Sequence, residues 1–410
     1  MAETVLDVAL YGRPIGTMTL LGGTQTAFAF NDEYIEDTAR PTLSLSFKGT
    51  SGLLTRIKPT RTRIPPFFAN LLPEGPLRSY LAKQAGVHPD REFFLLSALG
   101  RDLPGAVTVI NHKAATAPPG SSAILDAHGE APEHSVLRFS LAGVQLKFSA
   151  LLAADGGLTV PTDGVDGSWI VKLPSPTYAA VPENEFAMLE LARSIGIDVP
   201  KTRLVDVDKV AGLPAEASRL PGKALAIRRF DRLPHGAPVH IEDFAQVFGV
   251  YPQEKYGRAN YGNLAQVIQA EAGQASTEEF IRRLIFSVLI GNADMHLKNW
   301  SLVYPDGRHV KLAPAYDFVS TVPYLSEDGM ALNLYKAGTK AWSHFTLDGF
   351  ARLAARARAA ERSVTRTVRE TVARFHENWR GGGAEVPPEV RAAIDAHLDR
   401  LQLMREVIGS

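Results

Sequence analysis

Asp294 and Asn299 are separated by four residues in FSVLIGNADMHLKNWSLVY, where a helix-like apolar run stops at polar residues and a new apolar run follows. That spacing suits phosphoryl transfer. A carboxylate can accept a hydrogen bond from an attacking hydroxyl while a nearby carboxamide coordinates Mg²⁺ across the phosphates. The same residue types also cap helices, so the spacing alone is weakly specific. A second acid strengthens it: Asp317, in KLAPAYDFVS, follows a short apolar strand and could supply a further metal-binding carboxylate. Upstream, Lys172 lies in the strand-like SWIVKLP, and Glu185 lies in the helix-like ENEFAMLELARSIGI. A strand lysine held by a helix carboxylate is one way to grip the α- and β-phosphates. Glu183 could equally supply that carboxylate. A phosphate-covering loop should precede Lys172, and the candidate is Ser140-Leu141-Ala142-Gly143-Val144-Gln145-Leu146-Lys147, which holds one glycine.

These residues need elements to position them. From Val5 to Phe47, VLDVAL, YGRPIG, TMTLL, TQTAFAF and LSLSF read as short strands between turns. PPFFANLLPEGPLRSYLAKQAG and DREFFLLSALG read as helices ended by glycine. Residues 1–110 are therefore expected to form a β-rich mixed unit. Residues 111–135, rich in Ala, Pro, Gly and Ser, read as a linker. Strands, a helix stopped at Gly196 and the strand ALAIRRF suggest a second α+β unit over 136–235. Beyond it, 236–410 reads as mostly helical, with helices expected at Ile241 to Phe248, Leu264 to Glu271, Thr277 to Ile290 and Leu347 to Trp379. The fold class expected is α+β, a bilobal protein-kinase-like arrangement with an N-terminal β-rich subdomain and a mostly helical C-terminal lobe.

Composition narrows the function classes. A chain of 410 residues exceeds one typical core. Its 44 Lys+Arg balance 44 Asp+Glu, so no global field favours nucleic acid or membrane. Cysteine is absent, which excludes disulfides, thiol nucleophiles and thiolate metal sites. No long apolar run suggests a membrane span, and a cytoplasmic protein is expected.

The blocks SLAGVQLKFSALL, WIVKLP, ENEFAMLELARSIGI, RRFDRL, NADMHLKN and PAYDF occur in an order that resembles the HipA family of serine/threonine protein kinase toxins. NLLPEGP and LLSALGRDLPGAV resemble that family's amino-terminal subdomain. Val319 follows Phe318 where the kinase Asp-Phe-Gly motif has glycine. The resemblance implies that Asp294 is the catalytic base and that Asn299 and Asp317 hold Mg²⁺. It implies ATP contacts from Lys172, from Ala142, Gly143, Val144, Gln145, Leu146 and Lys147, and from a hinge at Arg228, Arg229 and Phe230. His296, Lys298, Tyr316 and Asp317 complete the expected nucleotide set. Ser140 stands at the position that the family autophosphorylates. Arg228 replaces an expected acidic hinge residue, and Leu146 stands where a charged residue is frequent. The partners implied are a small helix-turn-helix antitoxin, operator DNA reached through it, and a protein substrate such as an aminoacyl-tRNA synthetase, notably the glutamyl enzyme. Its phosphorylation would halt translation and promote dormancy.

From Ala351 to Arg380 there are eight Arg against three Glu, and Arg358, Arg362, Arg366 and Arg369 fall near one helix face. That stripe could meet DNA phosphates, or it could simply be solvated. Three other readings compete: a small-molecule kinase, a catalytically silent corepressor, and a metal-dependent hydrolase built on Asp294, His296 and Asp317.

Overall fold

Alternating apolar residues in TVLDVAL, RPIGTMTLL and QTAFAF build three antiparallel strands, β1 (Thr4–Leu10), β2 (Arg13–Leu21) and β3 (Gln25–Phe30). The computed structural model describes residues 4–49, 53–55, 57–112, 146–152, 157–161, 167–326, 328–382 and 385–409. With β4 (Thr60–Arg61) and β5 (Val107–Asn111) the first sheet has the order β4-β3-β2-β1-β5. Leu6, Val8 and Leu10 all point to one face, as period-two patterning requires, and are fully buried against Phe67, Phe68, Leu95 and Leu96. Asn111 pairs with Leu6, so the sheet runs one residue into the expected linker. The rest of that linker, residues 113–135, lies outside the described residues.

Two local expectations are corrected. LSLSF alternates like a strand, yet Leu45–Phe47 form a 3-10 turn. The Ser44 hydroxyl accepts from the Ser46 amide, and the distant Glu242 takes both the Ser44 hydroxyl and the Leu45 amide, so one local bond and two from another element displace a ladder. The stretch expected as one helix after Pro65 is two, Pro66–Ala69 and Gly75–Gln84. Pro73 disfavours helical geometry at Leu72 and leaves Asn70 to Glu74 as an irregular strap.

The second sheet contains β6 (Lys147–Leu152), β7 (Leu158–Thr159), β8 (Trp169–Lys172), β9 (Thr202–Asp206), β10 (Val210–Ala211) and β11 (Lys223–Arg228), in the order β10-β7-β6-β8-β11-β9. The helix Val181–Ser194 packs on β9 and β11 through Met188, Leu191 and Ala192. It ends at Ile195, with Gly196 in the left-handed region at φ +89°.

Ile241 to Phe248, expected helical, divides into β12 (His240–Asp243) and a short helix, Phe244–Val247. The Asp243 side chain accepts from the Gln246 amide at 2.9 Å and starts that helix. β12 joins β13 (Ser301–Tyr304) and β14 (Lys311–Leu312) in a small sheet. The helices Tyr261–Glu271, Gly273–Leu289, Leu347–Ala357, Glu361–Arg380, Pro388–Leu398 and Gln402–Val407 supply the bulk of this lobe. The long helix expected from Leu347 breaks at Arg358, whose φ is +56°. Arg358, Arg362, Arg366 and Arg369 are exposed, with Val364, Val368 and Val372 buried on the opposite side. The molecule thus has the bilobal, kinase-like α+β architecture. No helix among the described residues is long and apolar enough to cross a membrane.

Candidate active site

The apolar helix Gly273–Leu289 ends at Ile290, and Gly291 turns the chain at φ +64°. A Cβ there would lie 2.6 Å from a Val322 methyl, so the turn needs glycine twice over. Asn292 follows as a clasp. Its Oδ1 accepts from the Asp294 amide at 3.0 Å, and its Nδ2 donates to the Asp317 carbonyl at 3.0 Å. The Ala293 amide donates to Thr321 Oγ1 at 2.9 Å. The segments carrying Asp294 and Asp317 are thereby fixed to each other. Asn299 Nδ2 donates to the Asp294 carbonyl at 2.9 Å, which leaves its oxygen for other work. The Asp294 carboxylate accepts from the Tyr256 hydroxyl at 2.7 Å. Burial pushes this carboxyl above the usual aspartate range, and the Tyr256 bond pulls against that rise.

Lys172 reaches the same cleft from β8. Its ammonium donates to Glu185 Oε1 at 2.5 Å and also to Asp317 Oδ1. Glu185, rather than Glu183, is therefore the helix carboxylate that meets it. Burial opposes the charge on Lys172, but Asp317 and Glu185 outweigh it and hold the ammonium above its ordinary range. Burial likewise opposes ionisation of Asp317, and Lys172 and Lys147 overcome it, holding the carboxyl well below its ordinary range. Asp317 adopts φ +56°, a left-handed conformation that Asp tolerates better than most residues.

Lys147 is the cross-strand partner of Lys172. Like charges directly opposite are unfavourable unless an anion joins them. Burial lowers Lys147 to about 8, with Asp317 opposing that shift and Lys172 adding to it. Two lysines and an acid-rich loop thus face a cleft of about 460 Å³. Its remaining wall includes Ile227, Phe230, Ile241 and Tyr316, and the Phe230 and Tyr316 rings stack with centroids 5.8 Å apart.

The hinge differs in detail from expectation. The Arg229 side chain turns away into a buried network, pairing with Asp231 at 2.8 Å and Asp102 at 3.1 Å, so only its backbone is placed for a ligand. The Arg228 and Arg229 amides donate to Lys201 and Ser168 carbonyls, whereas the Phe230 amide has no acceptor among the described residues. Lys298 lines the cleft but is committed to protein partners: the Asn70 carbonyl at 2.9 Å, Asn70 Oδ1 at 3.2 Å and Glu74 Oε1 at 3.1 Å. Burial, then repulsion from Lys255, lowers His296 to about 3, so it is neutral at pH 7. Ser140, Ala142, Gly143, Val144 and Gln145 lie outside the described residues, and Leu146 accepts at its carbonyl from the Leu173 amide at 3.0 Å.

Sequence reasoning missed the strap. Asn70, Leu71 and Glu74 belong to the amino-terminal unit yet line the cleft. Burial opposes ionisation of Glu74, but Lys298 and Lys255 hold it down to about 2. NLLPEGP was visible as a block, though nothing in its spacing points to Lys298, which lies 228 residues beyond Asn70. Tyr256 was missed because a tyrosine 38 residues before Asp294 carries no motif spacing. Among the described residues no group of three His, Asp or Glu side chains converges as a metal site, so the hydrolase reading gains no support.

The profile of the HipA-like C-terminal domain matches residues 139–379, and that of the HipA N-terminal domain matches residues 6–110. A Sinorhizobium fredii protein named "Putative kinase Y4dM" is 55% identical over 410 residues, covering 98% of each chain. The "Serine/threonine-protein kinase toxin HipA" of Shewanella oneidensis is 28% identical over 317 residues, 69% of this chain and 67% of that one. Among solved structures, the Shewanella oneidensis complex of HipA, HipB and operator DNA contains a chain that superposes with a TM-score of 0.69. It has 21% identity and covers 98% of this chain and 99% of that chain.

Proposed function

The chain belongs to the HipA family, and on that premise we propose that it is a serine/threonine protein kinase that transfers the γ-phosphoryl group of ATP to a protein hydroxyl. The observation that carries this reading is the meeting of Lys172, Glu185, Asp317 and Asp294 in one cleft, with Asn292 clasping the two acidic segments. The adenine would lie beside Phe230 and Tyr316, with the Phe230 amide as hinge donor. Lys172 and Lys147 would hold phosphate oxygens. Asn299 and Asp317 offer hard oxygen donors on adjoining loops, a set that fits Mg²⁺ with water and phosphate completing its shell. When bound, Mg²⁺ neutralises charge on the phosphates. Asp294 orients the acceptor hydroxyl and takes its proton, and most of the rate comes from positioning.

The Shewanella complex contains HipB and operator DNA. By analogy this chain would be the cytoplasmic toxin of a pair with a small helix-turn-helix antitoxin, reaching operator DNA through it. An aminoacyl-tRNA synthetase, such as the glutamyl enzyme, is the substrate class the family resemblance favours. Its phosphorylation would inhibit translation and promote persistence. Ser140 would be the autophosphorylated serine.

The test is incubation with γ-labelled ATP and Mg²⁺, alone and with lysate, followed by mass spectrometry. Label on Ser140 and on a synthetase serine is expected, and Asp294→Asn and Asp317→Asn should each abolish transfer with the fold intact. Retained transfer in either variant refutes the assignments. No label despite nucleotide binding would favour a silent corepressor.

A further inference from the structure

The Asp294 carboxylate has two oxygens, and the catalytic loop itself fixes neither: Asn292 and Asn299 bond the backbone of Asp294, not its side chain. A carboxylate torsion is broad and roughly two-fold, so an unheld group would not keep one oxygen aimed at an acceptor. The Tyr256 hydroxyl is the side-chain donor that reaches it, at Oδ1 and 2.7 Å. Tyr256 is itself pinned from several directions. Its ring stands edge-on to His296 with centroids 5.0 Å apart, and its carbonyl accepts from Lys340 Nζ at 3.4 Å. The preceding carbonyl, of Lys255, accepts from the Leu297 amide in the catalytic loop at 3.3 Å. Lys255 Nζ is held by Glu74 at 2.9 Å, and the same carboxylate holds Lys298.

We propose that Tyr256 is a positioning residue for phosphoryl transfer: its hydroxyl occupies one oxygen of Asp294 and so presents the other to the acceptor hydroxyl. The Glu74–Lys255 pair braces it, which makes the amino-terminal strap part of the apparatus that aims the base. This rests on the kinase reading above. Burial and the neighbouring Asp294 raise the phenol, so it remains a donor through the neutral range. The bond favours the charged form of the carboxyl.

The test uses full-length Tyr256→Phe, which keeps the ring and its His296 contact. Two readings are needed, each on parent and variant: nucleotide affinity, and kcat with KM for transfer to a protein hydroxyl. The expected result is unchanged nucleotide affinity with kcat lowered about tenfold and KM little altered. An unchanged kcat overturns the proposal, and so does a fall in kcat accompanied by weakened nucleotide binding, since loss of packing gives that result. A parent that binds nucleotide and transfers nothing retires the kinase reading and the proposal with it.

Discussion

Lys172 is where the charges of the cleft are balanced, and its replacement separates stability from binding. The Glu185 side chain is 1% exposed, so Lys172→Met leaves a buried carboxylate beside Asp317 without its cation. Removing one partner of a buried pair costs about 3 kcal/mol or more, whereas replacing both with apolar groups can be nearly neutral. Lys172→Met should therefore lower stability by that amount, and Lys172→Met/Glu185→Leu should regain much of it. Nucleotide binding should stay lost in both. Urea unfolding with a titration of nucleotide distinguishes these outcomes; additive stability losses would show that the pair is not coupled. At this scale the sequence was informative where chemistry imposes a spacing. Asp294, Asn299 and Asp317 could be singled out by spacing and Lys172 by its strand, and all four line one cleft, with Lys147 beside them. It was uninformative for Arg229, because whether a hinge arginine faces a ligand or a buried Asp102 depends on a loop 127 residues away.

The loop that carries Asp294 owes its path to a single glycine between a buried helix and Asn292. Gly291→Ala places a Cβ in the left-handed region, at about 1 kcal/mol, and against Val322 at 2.6 Å. The variant should fold but transfer phosphate at least about tenfold more slowly, because small displacements of an aimed base are costly. Adding Val322→Ala should recover part of the rate. Steady-state kinetics of the two variants would check this, and an equal deficit in both would mean that Val322 does not transmit the effect. Elements with one strong period, such as β1 to β3 and the helix Gly273–Leu289, were legible in the residues. LSLSF and the stretch after His240 were not, since their backbone follows bonds to partners distant in sequence. On β12 the alternation separates two functions: Ile241 and Asp243 line the cleft, while His240 and Glu242 are buried against the amino-terminal unit.

That buried face makes the docking of the amino-terminal unit sensitive to pH. Glu242 accepts from Ser44 Oγ at 2.5 Å and the Leu45 amide at 3.0 Å, and burial pushes its carboxyl up to about 7 from 4.5. Between those values the folded chain holds a proton that the unfolded chain has lost, so this contribution to stability falls as pH rises, by roughly 3 kcal/mol in all. His240 works in the opposite sense. Burial lowers it to about 4 from 6.5, so stability rises with pH through that window. Glu242→Gln removes the first slope alone. Its stability relative to the parent should therefore improve by roughly 2 kcal/mol between about pH 5 and pH 8, as urea midpoints would record. A constant offset across pH would contradict this. The general bilobal plan was readable from the order of strand-like and helix-like runs, but the participation of the amino-terminal unit in the cleft was not, because only assembly brings Glu74 to Lys255 and Lys298. The strap has a consequence for synthesis. Translation supplies Glu74 early, Lys172 later, Asp294 and Asp317 later still, and then the helices whose Phe350, Leu353 and Leu403 share a core with Met295 and Leu297. A nascent chain therefore holds scattered parts of the cleft, and the core under Met295 and Leu297 is incomplete until the helix that carries Leu403 has been made.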